Sequence, residues 1–273
     1  MGKNMETPGH LLELVELGFG YPDRDLYGNL NLQITRGKIT VIMGPSGCGK
    51  STLLELMTGQ LQPKTGTVLL EGVSLSRLPQ SARYIVRRRM GMMFQNNALF
   101  GDLNVFENVA FPIRENTGLS NSLVRNLVLM KLQMVGLRGA AQLMPSMLSG
   151  GMARRVALAR ALALDPDMVF YDEPFTGLDP ISKGVIGQLI KTLNSVLGAT
   201  SVVVTQDVNE GLSIADDVII FSQDGIVEHS SPEQVVRSTQ PEARQFLDAK
   251  PDGPVPFHYP APDYKDQLIG FRR

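Results

Sequence analysis

The segment "GPSGCGKST", residues 44–52, has the composition of a loop that binds phosphate. Glycine has no Cβ, so the backbone at Gly47 and Gly49 can bend around an anion and point its N–H groups inward. Lys50 can reach the outer phosphates of a nucleotide, and the hydroxyl of Ser51 can bind Mg²⁺. The residues expected to form this site are Gly44, Pro45, Ser46, Gly47, Cys48, Gly49, Lys50, Ser51 and Thr52.

The flanking sequence separates this interpretation from its alternative, a glycine-rich turn with a chance lysine. The apolar run "ITVIM" before the loop predicts a buried strand, and residues 50–58 predict a helix. A strand before and a helix after are the context that the motif requires, and the helix N-terminus adds partial positive charge. We expect alkylation or oxidation of Cys48 to block nucleotide binding; the alternative is an unreactive thiol that only fills space.

The second candidate for chemistry is "FYDEP", residues 170–174, which follows an apolar run. Asp172 ends the predicted strand and can hold Mg²⁺. Glu173 comes next, and a carboxylate beside the metal and the γ-phosphate can act as a general base towards an attacking water. The alternative is a pair of carboxylates that cap the following helix. We predict Glu173 and Lys50 as catalytic residues and Asp172 as a metal ligand.

A third polar group follows the apolar run 200–205, where the sequence reads "VTQD". Gln206 and Asp207 would then stand at the carboxyl edge of a sheet, where open α/β folds place their sites. We predict Gln206 as a catalytic residue. Asp207 is expected to shape the N-terminus of the next helix.

The elements that must position these residues alternate between strand and helix, which predicts a mostly parallel sheet with helices on its faces. Strands are predicted at residues 11–19, 30–34, 39–44, 66–71, 90–95, 168–174, 200–205, 217–221 and 225–229, and helices at 50–58, 181–197 and 208–215. Residues 104–147 are mostly helical, with expected breaks at Pro112, Gly118, Gly136 and Pro145. Residues 251–273 are rich in proline and aromatics, which predicts an extended arm.

The composition excludes several classes of protein. The 273 residues carry a formal net charge of −1, which argues against a nucleic-acid binder. Charged residues make up 19%, below the ~25% usual for soluble domains, so we expect a partner to cover part of the surface. One cysteine excludes an intrachain disulfide and fits a reducing compartment. We find neither a signal peptide nor an apolar run long enough to cross a membrane.

The segment "MLSGGMARRVALARALALDPD", residues 147–167, resembles the signature of ABC transporter ATPases. Together with the phosphate loop, Gln95, the strand ending at Asp172 and the turn 177–179, it makes residues 11–238 resemble an ABC ATPase subunit. This implies an α/β P-loop NTPase fold with a mostly parallel core sheet, an antiparallel β-subdomain and a helical subdomain inserted at about 100–160. The expected domain covers residues 1–240, and residues 241–273 form an extended tail that bridges a dimer.

The resemblance implies further roles, with ATP and Mg²⁺ as cofactors. Gln95 would touch Mg²⁺ or the attacking water, and Tyr21 would stack on adenine, with Phe19 as its rival. The residues that would bind the γ-phosphate held by the opposite subunit are Ser149, Gly150 and Gly151. Because one chain has one phosphate loop and one signature, the expected working unit is a head-to-tail homodimer.

Gln206 departs from the family pattern, which usually has histidine at this position. A glutamine amide can donate a hydrogen bond but cannot carry charge. We predict that Gln206 contacts the γ-phosphate and stabilises the transition state less than histidine would. The alternative is that the position is idle and that Glu173 with Gln95 suffices.

A narrower resemblance, to ATPase subunits of phospholipid transporters that maintain lipid asymmetry in Gram-negative bacteria, covers residues 96–119, 128–155 and the tail. It implies a permease, an MCE-domain lipid-binding protein, a small STAS-domain protein and no nucleic acid, at the cytoplasmic face of the inner membrane. Leu178 departs from the glutamine common in that group. The expected permease contacts are Leu99, Phe100, Val105 and Phe106, and the expected tail anchors are Phe257 and Tyr259.

Other classes remain as alternatives. An ABC importer for another cargo would keep the same ATPase mechanism. Soluble ABC proteins of translation or DNA repair carry two cassettes or long coiled coils, and this chain has neither. A P-loop kinase or GTPase would leave the segment 149–151 without a role.

Overall fold

The structure, a computed structural model, describes residues 9–222, 225–255, 264–265 and 267. The strands are β1 His10–Tyr21, β2 Arg24–Thr35, β3 Ile39–Met43, β4 Thr65–Leu70, β5 Val73–Ser74, β6 Met90–Met93, β7 Met168–Asp172, β8 Thr200–Thr205, β9 Asp217–Ser222 and β10 Gly225–Ser230. The helices are α1 Lys50–Met57, α2 Gln80–Arg87, α3 Val105–Asn116, α4 Asn121–Met134, α5 Gly150–Ala161, α6 Pro180–Leu197, α7 Val208–Ile214, α8 Pro232–Val235 and α9 Pro241–Leu247.

The central sheet has six strands in the order β10-β9-β3-β8-β7-β6. All neighbours in it are parallel except the β9–β10 pair, which confirms the mostly parallel core that the alternation predicted. Chain order and strand order differ, so the α-helices cross between parallel neighbours and cover both faces. The sheet is therefore buried on both sides.

Alternate residues of each central strand face different layers of the core, because side chains alternate across a strand. On β7, Phe170 packs with α1 and the second sheet. Its neighbours Val169 and Tyr171 pack with the helices α3 to α7 on the other face. This explains why the predicted strands read as continuous apolar runs.

The second sheet is antiparallel, with the order β2-β1-β4-β5. It confirms the predicted antiparallel part of the fold. The β1–β2 hairpin is longer than predicted, since Tyr21 pairs with Arg24 at its tip. Its outer half contains Gly18, Gly20 and Gly28 and is interrupted by register shifts, so the sequence lacks the regular alternation that identifies a strand.

Helices α3, α4 and α5 lie between β6 and β7 and contact one another. The predicted break at Pro112 is wrong, because Pro112 lies inside α3. Proline removes one backbone donor from the helix. The face of α3 that carries Val109, Ala110 and Ile113 is fully buried, and this packing offsets the missing bond.

Helix α2 was not predicted; it has only 8 residues, and none of them is buried. Side-chain contacts hold it instead. Arg87 donates to the carbonyls of Thr58 and Gly59 just after α1, and Arg88 donates to the carbonyl of Asn116 at the end of α3. These contacts tie α2 to two other helices.

The region predicted as an extended tail begins with a helix, α9, which contacts β9 and β10. Pro241 at the first helical position is compatible with helix initiation. Beyond the helix, Gln245 exchanges two hydrogen bonds with the backbone of Val255. The predicted anchors Phe257 and Tyr259 lie outside the described residues.

Within the described part of the chain, no helix combines the length and the apolar character needed to cross a membrane.

Candidate active site

Parallel pairing brings the predicted site residues to one edge of the central sheet. Met43 at the end of β3 pairs with Thr205 at the end of β8, and Asp172 at the end of β7 pairs with Val204. The phosphate loop, the carboxylates and Gln206 follow these three strand ends directly. This is the edge at which open α/β sheets place their ligands.

The phosphate loop needs glycine at two close approaches. A Cβ on Gly44 would lie 2.4 Å from the carbonyl oxygen of Phe221. A Cβ on Gly49, which has φ +100°, would lie 2.5 Å from the hydroxyl of Tyr27. That hydroxyl donates to the Gly49 carbonyl at 2.6 Å and fixes the loop where α1 begins.

Lys50 is 6% exposed, and its ammonium donates to the carbonyls of Gly44 and Pro45 at 2.7 and 2.8 Å. The loop therefore surrounds the cation with oxygen atoms, and phosphate oxygens could replace them. Cys48 is 3% exposed, and burial raises the pKa of its thiol although Lys50 opposes the shift. Because the thiolate is the reactive form, this arrangement favours the unreactive alternative for Cys48.

A cavity of about 310 Å³ brings most of the predicted residues together. Its lining is Tyr21, Leu26, Ser46, Gly47, Gly49, Lys50, Ser51, Thr52, Gln95, Glu173 and Gln206. Tyr21 is 47% exposed, and its hydroxyl lies 3.4 Å from that of Thr52. Its rival Phe19 packs against the core, so Tyr21 is the aromatic residue available to a ligand.

Ser51 and Asp172 form a pair of oxygens suited to Mg²⁺. The Ser51 hydroxyl donates to Oδ1 of Asp172 at 3.2 Å. Burial raises the pKa of Asp172, and the nearby charge of Glu173 adds to the shift. Among the described residues there is no cluster of three His, Cys, Asp or Glu side chains that could hold a metal. In nucleotide sites Mg²⁺ uses one or two protein ligands together with phosphate oxygens and water, and the oxygens of Ser51 and Asp172 are suited to be those ligands.

Glu173 is 5% exposed and has φ +49°, a conformation that is strained for a non-glycine residue and is often found at functional sites. Three donors hold its carboxylate. The Thr176 hydroxyl donates to Oε2 at 3.0 Å, the Gln206 backbone N–H donates to the same atom at 3.3 Å, and the Gln206 side-chain amide donates to Oε1 at 3.1 Å. The carboxylate is therefore fixed at the cavity wall.

The structure gives Gln206 a partner that the sequence did not predict. Its side-chain amide binds Glu173, while Gln206 also lines the cavity. Asp207 is the N-cap of α7 but makes no side-chain capping bond. Its carboxylate instead forms an ion pair with Lys183 of α6. Asp207 therefore stands at the helix N-terminus as expected, and the partner of its carboxylate is Lys183.

Ser149, Gly150 and Gly151 do not line this cavity. The Ser149 hydroxyl accepts from the N–H of Met152 and caps α5. A Cβ on Gly150 would meet only the side chain of Leu178, at 3.8 Å. The signature segment is therefore exposed beside the turn that precedes α6, away from the phosphate loop of the same chain.

Two positioning residues were missed by the sequence analysis. Tyr27 holds the phosphate loop, and burial raises the pKa of its hydroxyl, so it remains a donor at neutral pH. Thr176 holds Glu173. The position of Thr176, three residues after Glu173, was a usable signal, whereas nothing local links Tyr27 to a loop more than twenty residues away.

The four apolar residues proposed as permease contacts differ in accessibility. Phe100 is exposed and lines a hollow of about 420 Å³ together with Phe94 and Phe111. Val105 is fully buried, and Leu99 and Phe106 pack against the core. Phe100 is therefore the accessible member of the predicted set.

Comparison with protein families identifies the family to which this fold belongs. The family described as ABC transporter matches residues 27–176, which include the phosphate loop, the signature segment and both carboxylates. The match begins inside β2 and ends after β7, so it covers the cavity wall that Gln95 and Glu173 contribute.

Two curated relatives match almost the whole chain. The "Intermembrane phospholipid transport system ATP-binding protein MlaF" of Haemophilus influenzae is 56% identical over 95% of this chain and 98% of its own length. The protein of the same name from Escherichia coli K12 is 52% identical over 97% of this chain and 98% of its own length.

Solved structures show the same fold. The structure of cbiO1 from Clostridium perfringens, part of the ABC transporter complex cbiONQ, has a TM-score of 0.78 at 27% identity and covers 89% of this chain and 96% of that one. The dimeric ATP-binding cassette MJ0796, bound to ADP and Pi in a post-hydrolysis state, has a TM-score of 0.74 at 31% identity, over 81% of this chain and 98% of that one. The chain belongs to the ABC transporter family, as an ATPase cassette of that family.

Proposed function

We propose that this cassette powers a phospholipid transporter, as a head-to-tail homodimer bound to a permease at the cytoplasmic face of a bacterial inner membrane. The observation that carries the proposal is the 56% identity to a phospholipid-transport ATPase over 98% of that protein's length. The likeness includes residues outside the shared family motifs, where cassettes with other cargoes diverge.

The phosphate loop would bind ATP through its backbone N–H groups and Lys50. For this, the Lys50 ammonium exchanges the carbonyls of Gly44 and Pro45 for phosphate oxygens, which carry more negative charge. Tyr21 would stack on the adenine, since it is the exposed aromatic residue at the cavity wall.

Ser51 and Asp172 would hold Mg²⁺, with Gln95 facing the metal or the attacking water from the other wall of the cavity. The metal would neutralise charge that develops on the phosphates. Glu173 would accept a proton from the attacking water as general base. Its fixed orientation, set by Thr176 and Gln206, favours that role because no reorganisation precedes the proton transfer.

The dimer follows from the separation of the two phosphate-binding segments. Ser149, Gly150 and Gly151 are far enough from the cavity that they do not line it. A second copy in head-to-tail orientation would bring its own signature segment to this cavity and receive the same contact in return. Each ATP would then be held between two chains.

The hollow beside Phe100 would receive the permease, because its lining is mostly apolar and adjoins Gln95. Its two arginines, Arg88 and Arg160, add positive charge at the rim. An MCE-domain lipid-binding protein and a small STAS-domain protein would complete the complex. The bridging tail would extend from α9, and its proposed anchors remain Phe257 and Tyr259.

The test is affinity purification of the full-length chain from detergent-solubilised membranes, followed by mass spectrometry of proteins and lipids. A permease, an MCE-domain protein and bound phospholipid are the expected result. A permease without an MCE protein or lipid would contradict phospholipid as the cargo but would be consistent with the ATPase mechanism. Recovery with ribosomes or DNA instead of membranes would overturn the transport role.

A further inference from the structure

Arg154 is a buried cation that the site described above does not use. It lies in the first half of α5, five residues after Ser149, and is 5% exposed. Burial lowers the pKa of its guanidinium, and the negative charge of Glu173 opposes the shift. Its Nε atom is buried without a hydrogen-bond partner among the described residues. Because an unpaired buried donor is unfavourable, stability alone does not account for an arginine here.

The guanidinium of Arg154 is hydrogen-bonded to two loops of the candidate site, one at Gln95 and one at Thr176. Nη1 donates to the carbonyl of Gln95 at 2.6 Å and lies 3.5 Å from that of Phe94. Nη2 donates to the carbonyl of Thr176 at 2.9 Å. Hydrogen bonds from a charged donor are about twice as strong as neutral ones, so these loops are held firmly.

Each loop contains a residue that lines the cavity or binds the proposed general base. Gln95 lines the cavity, and the hydroxyl of Thr176 donates to the carboxylate of Glu173. A planar guanidinium with several donors can hold two carbonyls of different loops at once, whereas a lysine ammonium lacks this fixed fork. Through Arg154, the position of α5 determines the position of both loops.

We propose that Arg154 is a positioning residue that transmits contact at the signature segment to the chain's own Gln95 and Glu173. The inference rests on the proposed function, in which the second copy's nucleotide contacts Ser149, Gly150 and Gly151. When that contact moves the N-terminus of α5, Arg154 moves with the helix. Through its hydrogen bonds to the carbonyls of Gln95 and Thr176, it shifts both loops. Each chain would then reach its full turnover only when its signature is engaged, which couples the two ATP sites.

Arg155 provides a matched control. It is the next residue of the same helix, but its Nη1 donates to the carbonyl of Val135 at the end of α4. Removing its charge therefore disturbs contacts among the helices without touching the loops of the cavity. The variants Arg154→Met and Arg155→Met separate the two effects.

The experiment measures ATP hydrolysis by the full-length chain purified with its membrane partners. We expect Arg154→Met to lower kcat by about tenfold or more, since displacing reacting groups by ~1 Å can cost about a hundredfold. KM should change by less than about twofold, because the phosphate loop is untouched. The Hill coefficient for ATP should fall towards one, and Arg155→Met should keep wild-type cooperativity.

A double-mutant cycle with Thr176→Val tests the route. If Arg154 acts through the loop that holds Glu173, Arg154→Met should cost much less in the Thr176→Val background than in the wild type. Additive effects, an unchanged kcat, or equal losses in Arg154→Met and Arg155→Met would overturn the proposal. Should Arg154→Met fail to fold, Arg154→Lys should show a smaller fall in kcat, and wild-type kcat and cooperativity in that variant would count against it. Failure of the proposed function would appear separately, as a different set of partners or lipids around the wild-type chain.

Discussion

At the scale of single residues, the contact between Gln206 and Glu173 changes what a glutamine at this position can do. The amide donates to the carboxylate that would act as base, so it orients that group without adding charge. A histidine could donate a similar bond but would titrate near neutral pH. Glutamine therefore makes the orientation of Glu173 independent of pH in the physiological range.

This leads to a prediction for Gln206→Ala. Loss of the amide frees one carboxylate oxygen of Glu173, and we expect kcat to fall about tenfold with little change in KM. Gln206→His should restore turnover but introduce a dependence on pH near 6.5. Steady-state hydrolysis between pH 5.5 and 8.5 measures both effects. Asn209→Ala on the following helix, α7, is the control, and wild-type turnover in Gln206→Ala would show that the position is idle.

Asp172 carries a second prediction at this scale. Burial raises the pKa of its carboxyl in the folded state, so ionisation at neutral pH costs stability. The cost is absent at pH below the ordinary value of about 4 and grows to its full size above the raised pKa. Asp172→Asn should therefore increase Tm of the nucleotide-free protein at pH 7 by about 1–3 °C, and this gain should vanish towards pH 4.

The same variant should lose the response to metal. Wild-type Tm should rise further with Mg²⁺ and ATP than with ATP alone, and Asp172→Asn should not show this additional rise. Asp167→Asn is the control, because its exposed carboxylate pairs with Arg89 outside the site. A lower Tm for Asp172→Asn at pH 7 would contradict the argument.

At the scale of elements, the stability of the edge strand β10 depends on pH through the pair of His229 and Asp217. His229 on β10 and Asp217 on β9 lie 2.7 Å apart, and the bond to Asp217 raises the pKa of His229 although burial opposes the shift. A raised histidine pKa gives stability that is fully present below about pH 6.5 and is lost as pH rises through the folded value. The strand pair should thus be strongest in mild acid.

We therefore expect His229→Gln to lower Tm by about 1–2 °C at pH 6 and to have almost no effect above pH 8.5. Thermal denaturation across this range measures the difference. Asp217→Asn should give the same profile, because it removes the partner of His229. A difference that stays constant from pH 6 to 9 would mean that packing of the ring, and not its charge, matters.

At the scale of the whole molecule, the separation of the phosphate loop from the signature segment predicts complementation between two inactive variants. Lys50→Ala removes the phosphate contact, and Gly150→Asp places a carboxylate where phosphate is expected. The structure has room for that side chain, since only Leu178 lies within 4 Å of the Gly150 Cβ position. Each variant alone should be inactive.

A mixture of the two should recover activity. In a mixed head-to-tail dimer, one site is doubly altered and the other combines an intact loop with an intact signature. With random pairing, half of the dimers are mixed and each keeps one intact site, so an equal mixture should reach at most about a quarter of wild-type activity. The coupling proposed for Arg154 would lower this value further, because the chain that keeps the intact loop carries the altered signature. Co-expression and ATPase assays measure this, and a mixture as inactive as its components would rule out sites shared between chains.

The sequence by itself determined the phosphate loop, the two carboxylates and the parallel core. These features are local: the glycines precede Lys50 in one short segment, and each strand is a continuous apolar run because it is buried on both faces. Of the predicted helical breaks, Gly118, Gly136 and Pro145 lie between α-helices, and Pro112 is wrong because burial of one face of α3 outweighed its effect.

Only the tertiary structure decided which partners the polar groups have. Gln206 meets Glu173, Asp207 at the N-terminus of α7 pairs with Lys183, and Arg154 reaches two loops at once. These contacts join residues that are 22 to 60 positions apart, and no local pattern encodes them. The physical reason is that strand order brings distant strand ends to one edge, where buried charges must find donors and acceptors.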